Sequence, residues 1–256
     1  MSAILTVSNV NKKFGGVHAV NDVSFSIEKN TVKSIIGPNG AGKSSLFNLI
    51  SGHINADSGK IIYNGKQIQK LKPYKIAKLG ISRTFQIIKL FPKMSVIENV
   101  MIGRHLKSRA GFVSAMFNAP WTWLEEKKIR KKSEEIIDML GLIDIKNFEA
   151  VSLPFGKQRL VELGRALAAE PRMLLLDEPA SGLNNTETDA FGELILKIKS
   201  SGITVLLVEH DMSLVMNISD HITVLNYGKK IAEGTPAEIR KNPEVIKVYL
   251  GDEDDA

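Results

Sequence analysis

The sequence predicts an α/β fold built on a largely parallel core sheet, and three observations carry that prediction. The last third alternates helix and strand periodicity: helix over 157–169, strand over 173–177, helix over 186–200, strand over 203–208, helix over 211–218, strand over 222–225. Nearer the N-terminus, TVKSII at 31–36 reads as a strand, runs into a glycine-rich turn and continues into SSLFNLISG, which reads as a helix closed by Gly52. The apolar run Met173–Leu176 ends in Asp177 and Glu178. That is the pattern of a buried strand delivering carboxylates to its C-terminal edge, where open α/β sheets bind ligands.

The remaining segments follow in order. Val23, Phe25 and Ile27 alternate with Asp22, Ser24 and Ser26, which predicts a half-buried strand within 17–27. Ser95-Val96-Ile97-Glu98 is a capping box and opens a helix. Residues 104–123 mix aromatics, Gly and Pro without clean periodicity and read as an insertion or an exposed docking segment. Phe112, Phe117, Trp121 and Trp123 would either face a partner or fold back as a satellite core. Leu124, Ile136, Ile137 and Leu140 restore helical spacing up to Gly141. The acidic tail GDEDDA is expected to fray.

Composition narrows the function classes. With 256 residues, 43% hydrophobic and 24% charged, the chain can bury one sizeable core but not several independent domains. The absence of cysteine excludes a disulfide scaffold and thiolate catalysis, and it fits a reducing compartment. No secretory signal is read at the N-terminus. The apolar runs are far shorter than the roughly 20 residues a spanning helix needs, so the chain is not expected to cross a membrane by itself. The net charge of +6 reads as a solvated surface. Its densest basic stretch, EEKKIRKKSEE, is flanked by acids and fits an exposed helix face. Without a basic-aromatic strip, no nucleic-acid partner is expected.

The chemistry starts at Gly37-Pro38-Asn39-Gly40-Ala41-Gly42-Lys43-Ser44, followed by Ser45, which matches the phosphate-loop pattern G-x-x-x-x-G-K-[ST]. Phosphate oxygens are held by converging backbone N–H groups, so the chain must approach closely and glycine is needed where side chains would intervene. The following helix turns its positive end to the anion. Lys43 adds a point charge for the β- and γ-phosphates of ATP, and the Ser44 hydroxyl can ligate Mg²⁺. Asp177 is the second expected Mg²⁺ group, and Glu178 the group that orients and deprotonates the attacking water.

Taken with these motifs, the chain resembles the ATP-binding subunit of ABC transporters over essentially its whole length. The resemblance implies a single ABC ATP-binding domain over 1–256. Its expected parts are a P-loop NTPase core, an N-terminal antiparallel β subdomain and a helical subdomain near 90–170 that carries the 104–123 insertion. It also implies roles residue by residue. Phe14 in NKKFGG stands at the aromatic that stacks on adenine. Gln86 in RTFQ stands at the glutamine that touches Mg²⁺ and water and couples to the membrane partner. Leu153, Phe155, Gly156, Lys157 and Gln158 lie in the signature that faces the partner's ATP. Ser181-Gly182-Leu183-Asn184 matches the loop crossing the dimer interface, and His210 the switch histidine at the γ-phosphate.

Three residues, in two motifs, depart from the family pattern. Pro154 replaces the signature serine and Phe155 a glycine, while Asn184 replaces the usual interface-loop aspartate. Finer likeness, in SRTFQIIKLFPKMSVIENVMIGRH and in the segments around LPFGKQR and VEHDMSLVMNISDHITVLNYGKKIAEGTPAEI, is to the larger ATPase subunit of branched-chain amino-acid importers. That resemblance implies two membrane-spanning permeases, a paralogous ATPase forming a heterodimer and an external substrate-binding protein. It implies a peripheral location on the cytoplasmic face of the inner membrane. An ATPase for lipopolysaccharide export is the nearest alternative, and a soluble nucleic-acid- or ribosome-associated ATPase a more distant one.

Overall fold

A computed structural model describes residues 3–104 and 120–250. The chain divides into two units. The first comprises Met1–Arg83, Arg172–Ala180 and Asn185–Ala256, and the second Thr84–Pro171 with Ser181–Asn184.

The first unit contains two sheets. Strands β1 (Ala3–Phe14), β2 (Val17–Glu28), β4 (Ser58–Tyr63) and β5 (Lys66–Gln67) form an antiparallel sheet in the order β2-β1-β4-β5. Val23, Phe25 and Ile27 of β2 point into its core, as their alternation predicts. The long β1 has no counterpart in the sequence pattern. Its period is broken where the β1–β2 register shifts, between Val7 and Val10 and again between Val10 and Lys12. Asn9 and Asp22 take positive φ there, so irregular turns inside the ladder erase the two-residue signal.

The second sheet has β3 (Val32–Ile36), β6 (Ile81–Arg83), β7 (Met173–Asp177), β8 (Thr204–Val208), β9 (His221–Asn226) and β10 (Lys229–Gly234), in the order β10-β9-β3-β8-β7-β6. Every neighbouring pair is parallel except β9 and β10. Strands β3, β7 and β8 are buried at every residue, which is why β7 and β8 read as continuous apolar runs rather than alternating ones, while β3 buries Lys33 and Ser34 among its apolar residues. One apolar core joins the antiparallel sheet, helix α1 (Lys43–Ile50) and one face of the parallel sheet, through Phe25, Phe47, Ile35, Leu175 and Leu206. The short helix α2 (Pro73–Lys78) leads into β6 and adds Ile76 to this core. Ile36, Val215, Ile222, Val224 and Ile239 form a further cluster. It holds helix α7 (Met212–Ile218) and helix α8 (Pro236–Lys241), while α6 (Asn185–Ser200) packs beside α7.

The second unit is helical. Helix α3 (Val96–Arg104) opens on the expected capping box, with the Glu98 carboxylate accepting from both the Ser95 N–H and hydroxyl at 2.8 Å. Helix α4 (Pro120–Met139) begins earlier than the restored periodicity indicates, so 120–123 belong to a helix and not to an irregular insertion. A proline at the first helical position suits that start. Residues 105–119, the side chains of Trp121 and Trp123, and the tail 251–256 lie outside the described residues. The docking-segment, satellite-core and frayed-tail expectations fall there with them. Helix α5 (Phe155–Ala168) starts two residues before its expected start. It approaches α3 closely, because a Cβ on Gly103 would meet the Arg165 carbonyl oxygen at 2.0 Å.

Candidate nucleotide site

In the first unit, β3 delivers the chain to Gly37, and the loop then closes into α1. Two glycines are required by contact. A Cβ on Gly37 would lie 2.1 Å from the Leu225 carbonyl oxygen, and one on Gly42 would lie 2.2 Å from that of Ala19; both residues have positive φ. The loop is braced from outside as well, since the Gly228 N–H donates to the Ala41 carbonyl at 3.0 Å. No side chain caps the first turn of α1, so its N–H groups are open to an anion.

Lys43 is buried and spans the loop, donating to the carbonyls of Gly37 at 2.6 Å and Pro38 at 3.0 Å. Burial lowers its pKa, and the charges of Glu178 and Asp177 oppose that shift. An ammonium in this setting is short of solvation, which favours an added anion. Residues Asn39–Ser45, Glu178, Tyr227 and Val17–Ala19 line a cavity of about 480 Å³. The phosphate loop and the candidate base therefore border one space. Phe14 is not among the residues lining it. It is half exposed at the end of β1, pairs with Val17 across the hairpin, and has the Lys12 ammonium 5.3 Å from its ring centroid.

The carboxylates are set by β7. Asp177 ends the strand and is ion-paired with Arg83 at 2.9 Å. Arg83 is held in turn by Asn48 at 2.8 Å and Ser51 at 2.7 Å, both in or beside α1. Glu178 has φ 47, an uncommon region for a residue with a Cβ, and its N–H donates to the Val208 carbonyl at 2.9 Å. Strained backbone of this kind costs on the order of 1–3 kcal/mol and gathers at functional sites. His210 Nδ1 lies 4.0 Å from the Glu178 carboxylate, with the imidazole mostly exposed.

Glu209 is a site residue that the motifs do not reveal. It is fully buried and accepts from the Ala180 N–H at 2.7 Å, the His210 N–H at 3.0 Å and the Asp211 N–H at 3.4 Å. Burial pushes its pKa up, against those three N–H groups. It ties the turn after Glu178 to the turn bearing His210. An acid directly after the buried run Thr204–Val208 is the available signal, and it repeats the pattern at Asp177. Arg83 escapes notice because the three-residue strand β6 is too short to show a period.

The other candidates lie in the second unit. Gln86 is exposed in an irregular segment. Leu153 is buried, Phe155 is 46% exposed, Gly156 is partly exposed and Lys157 is exposed. Pro154 is the N-cap of α5, and its carbonyl accepts from the Gln158 N–H at 3.1 Å. The Gln158 side chain turns back on its own segment, donating to Leu153 at 2.8 Å and Val151 at 3.1 Å. Gly182 and Asn184 are exposed and Ser181 and Leu183 partly so; the Phe155 ring lies against Gly182.

The family model described as ABC transporter matches residues 20–181. The chain belongs to the ABC transporter family. A second model, described as branched-chain amino acid ATP-binding cassette transporter, matches residues 229–255. A Pseudomonas aeruginosa protein, the high-affinity branched-chain amino acid transport ATP-binding protein BraF, is 44% identical over 97% of this chain and 98% of its own length. The Escherichia coli relative LivG, with the same description, is 39% identical over 97% and 98%. A solved ATP-binding cassette of an ABC transporter in its ADP conformation matches with TM-score 0.86 at 35% identity, covering 98% of this chain and 100% of that one. This chain is accordingly an ATPase subunit with the ABC cassette fold. No described helix is long and apolar enough to cross a membrane.

Proposed function

We propose that this chain hydrolyses ATP to power import of branched-chain amino acids, working on the cytoplasmic face of the inner membrane against two permease subunits. One observation carries the reading at the level of chemistry: the phosphate loop, Lys43 and Glu178 border a single cavity. The identity of the cargo draws on the BraF and LivG relatives and on the C-terminal match over residues 229–255.

The loop N–H groups and Lys43 bind the β- and γ-phosphates. Glu178 takes a proton from water as its oxygen attacks the γ-phosphorus and the bond to the β-phosphate oxygen breaks, giving ADP and phosphate. His210 steadies the γ-phosphate. The Ser44 hydroxyl and the Asp177 carboxylate would hold Mg²⁺. Two hard oxygen donors suit an ion that takes its remaining ligands from phosphate and water. The bound ion would neutralise charge on the β- and γ-phosphate oxygens. Arg83 keeps Asp177 aimed. A paralogous cassette supplies the second face of the ATP sandwich, an external binding protein supplies substrate, and Gln86 with 87–105 meets the permease.

The test is vesicle transport. The chain, its paralogue and its permeases are reconstituted with binding protein, and uptake of labelled leucine, isoleucine and valine is followed with ATP inside. Uptake that needs ATP and is lost in Lys43→Ala is expected. ATP hydrolysis without uptake of any of the three would overturn the cargo assignment and leave the ATPase intact.

A further inference from the structure

A second buried charge network lies in the helical unit. Arg159, in the first turns of α5, has a side chain only 4% exposed. Its Nη1 donates to the Phe85 carbonyl at 3.0 Å and its Nη2 to the Gln86 carbonyl at 2.8 Å. Glu162, one turn on, sits 3.6 Å from Arg159 and accepts from the Phe85 N–H at 3.4 Å. Residues 84–91 form neither helix nor strand, so α5 supplies bonds that regular structure would otherwise make. The same guanidinium lies 5.4 Å from the centroid of the Phe155 ring. That ring fills the space over Gly182, where a Cβ would meet it at 2.8 Å. One buried cation thus touches the glutamine segment directly, stacks on the signature turn, and reaches the interface loop through Phe155.

We propose that Arg159 is a positioning residue for the ATPase cycle, setting the Gln86 backbone according to the state of the signature turn and interface loop. A planar guanidinium bonded to two successive carbonyls fixes the rotation of that segment in a way a point charge cannot. Phe155, which displaces the glycine usual in such signatures, then acquires a role as the stacking partner that brings the interface loop into the network. The inference rests on the ATPase reading above.

The experiment compares assembled transporters carrying Arg159→Lys, Arg159→Met/Glu162→Gln, Phe155→Ala, and Phe155→Ala on the Met/Gln background. Arg159→Lys keeps a cation beside Glu162, and the double change removes the buried pair together and leaves Arg165, 3.9 Å from Glu162 and 18% exposed, to solvent on its open side, so both are expected to fold. ATP affinity should stay within about twofold of wild type while kcat and transport per ATP fall about tenfold. Phe155→Ala should lower kcat a few-fold alone and add nothing on the Met/Gln background. Folded Arg159 variants with wild-type kcat and transport stoichiometry, or a Phe155 effect that adds fully, would overturn the proposal. A wild-type complex that hydrolyses no ATP would instead strike the functional reading beneath it.

Discussion

The phosphate loop of the first unit and the signature turn of the second are both glycine-bearing turns leading into a helix, and they are built in opposite ways. At the phosphate loop, the groups proposed to bind are backbone N–H donors. Gly37 and Gly42 sit where any Cβ would strike a carbonyl oxygen within 2.2 Å. At the signature turn, side chains do the holding. Gln158 closes the turn on the Leu153 carbonyl at 2.8 Å, and Arg159 grips a segment more than 70 residues earlier in the chain. The difference teaches where substitution is tolerated. A backbone cradle admits almost no change, whereas a turn fastened by side chains can exchange Ser for Pro and Gly for Phe and remain a helix start.

The sharpest way to break this comparison is to attack the chemistry at the first unit's site. Glu178→Gln keeps shape and polarity but cannot take the water's proton. Turnover is expected to fall by about 100-fold or more, with ATP still bound and the closed cassette pair accumulating. Steady-state phosphate release and size-exclusion profiles with ATP check it; near-normal turnover would remove Glu178 as the base. Lys43→Ala comes next. It deletes the cation nearest the phosphates, at about 1.5–3 kcal/mol per charged contact, or roughly 10- to 100-fold in ATP affinity. Circular dichroism of the ligand-free variant separates this from unfolding. A folded variant with unchanged affinity would count against the loop as the phosphate site.

What is legible in the sequence divides along the same line. The loop, the strand ending at Asp177 and the α/β alternation are local patterns, and β3, β7, β8 and α1 fall where those patterns put them. Arg83, Glu209 and Arg159 are not legible in this way. Each acts through contacts between residues far apart in the chain: Arg83 with Asp177, Glu209 with Ala180, Arg159 with Phe85 and Gln86. No spacing rule reports such pairs. β1 is hidden for another reason: the positive φ at Asn9 breaks its alternation, so the period fails although the pairing is long.

A smaller effect is expected from restoring the missing serine. As N-cap of α5, Pro154 has neither a hydroxyl nor an N–H to offer an opposing γ-phosphate. Pro154→Ser in the proposed heterodimer would regain one donor to a charged acceptor, about 1.5 kcal/mol at the low end, or roughly tenfold in closure at the site this signature would complete. Hydrolysis by the chain alone and with its paralogue, each with and without the change, reads it out. The expectation is two unequal ATP sites, the weaker one completed by this signature; a lone chain that forms a homodimer as active as the pair, with no effect of Pro154→Ser, would overturn it.

The smallest expected effect is a pH slope, and it sharpens the contrast by measuring one side-chain fastening within the backbone-built unit. Burial raises the Glu209 pKa above its ordinary value, with the Ala180, His210 and Asp211 N–H groups opposing. Between the unfolded value and the raised folded one, the native state holds more proton than the unfolded state. Stability therefore falls as pH rises through that window, and the loss is complete above the folded pKa. Glu209→Gln removes this titration whatever offset the amide introduces by turning an NH₂ toward a backbone donor. The difference in melting temperature, variant minus wild type, should grow from pH 4.5 toward neutrality and then level off. Glu162, also raised by burial, is present in both proteins and cancels in that difference. A difference that is flat with pH would mean that the three N–H bonds fully offset burial, so that Glu209 titrates alike in the folded and unfolded states. The carboxylate would then be held without a net cost of burial, and the distinction between backbone-built and side-chain-built fastening would not extend to the two turns it joins.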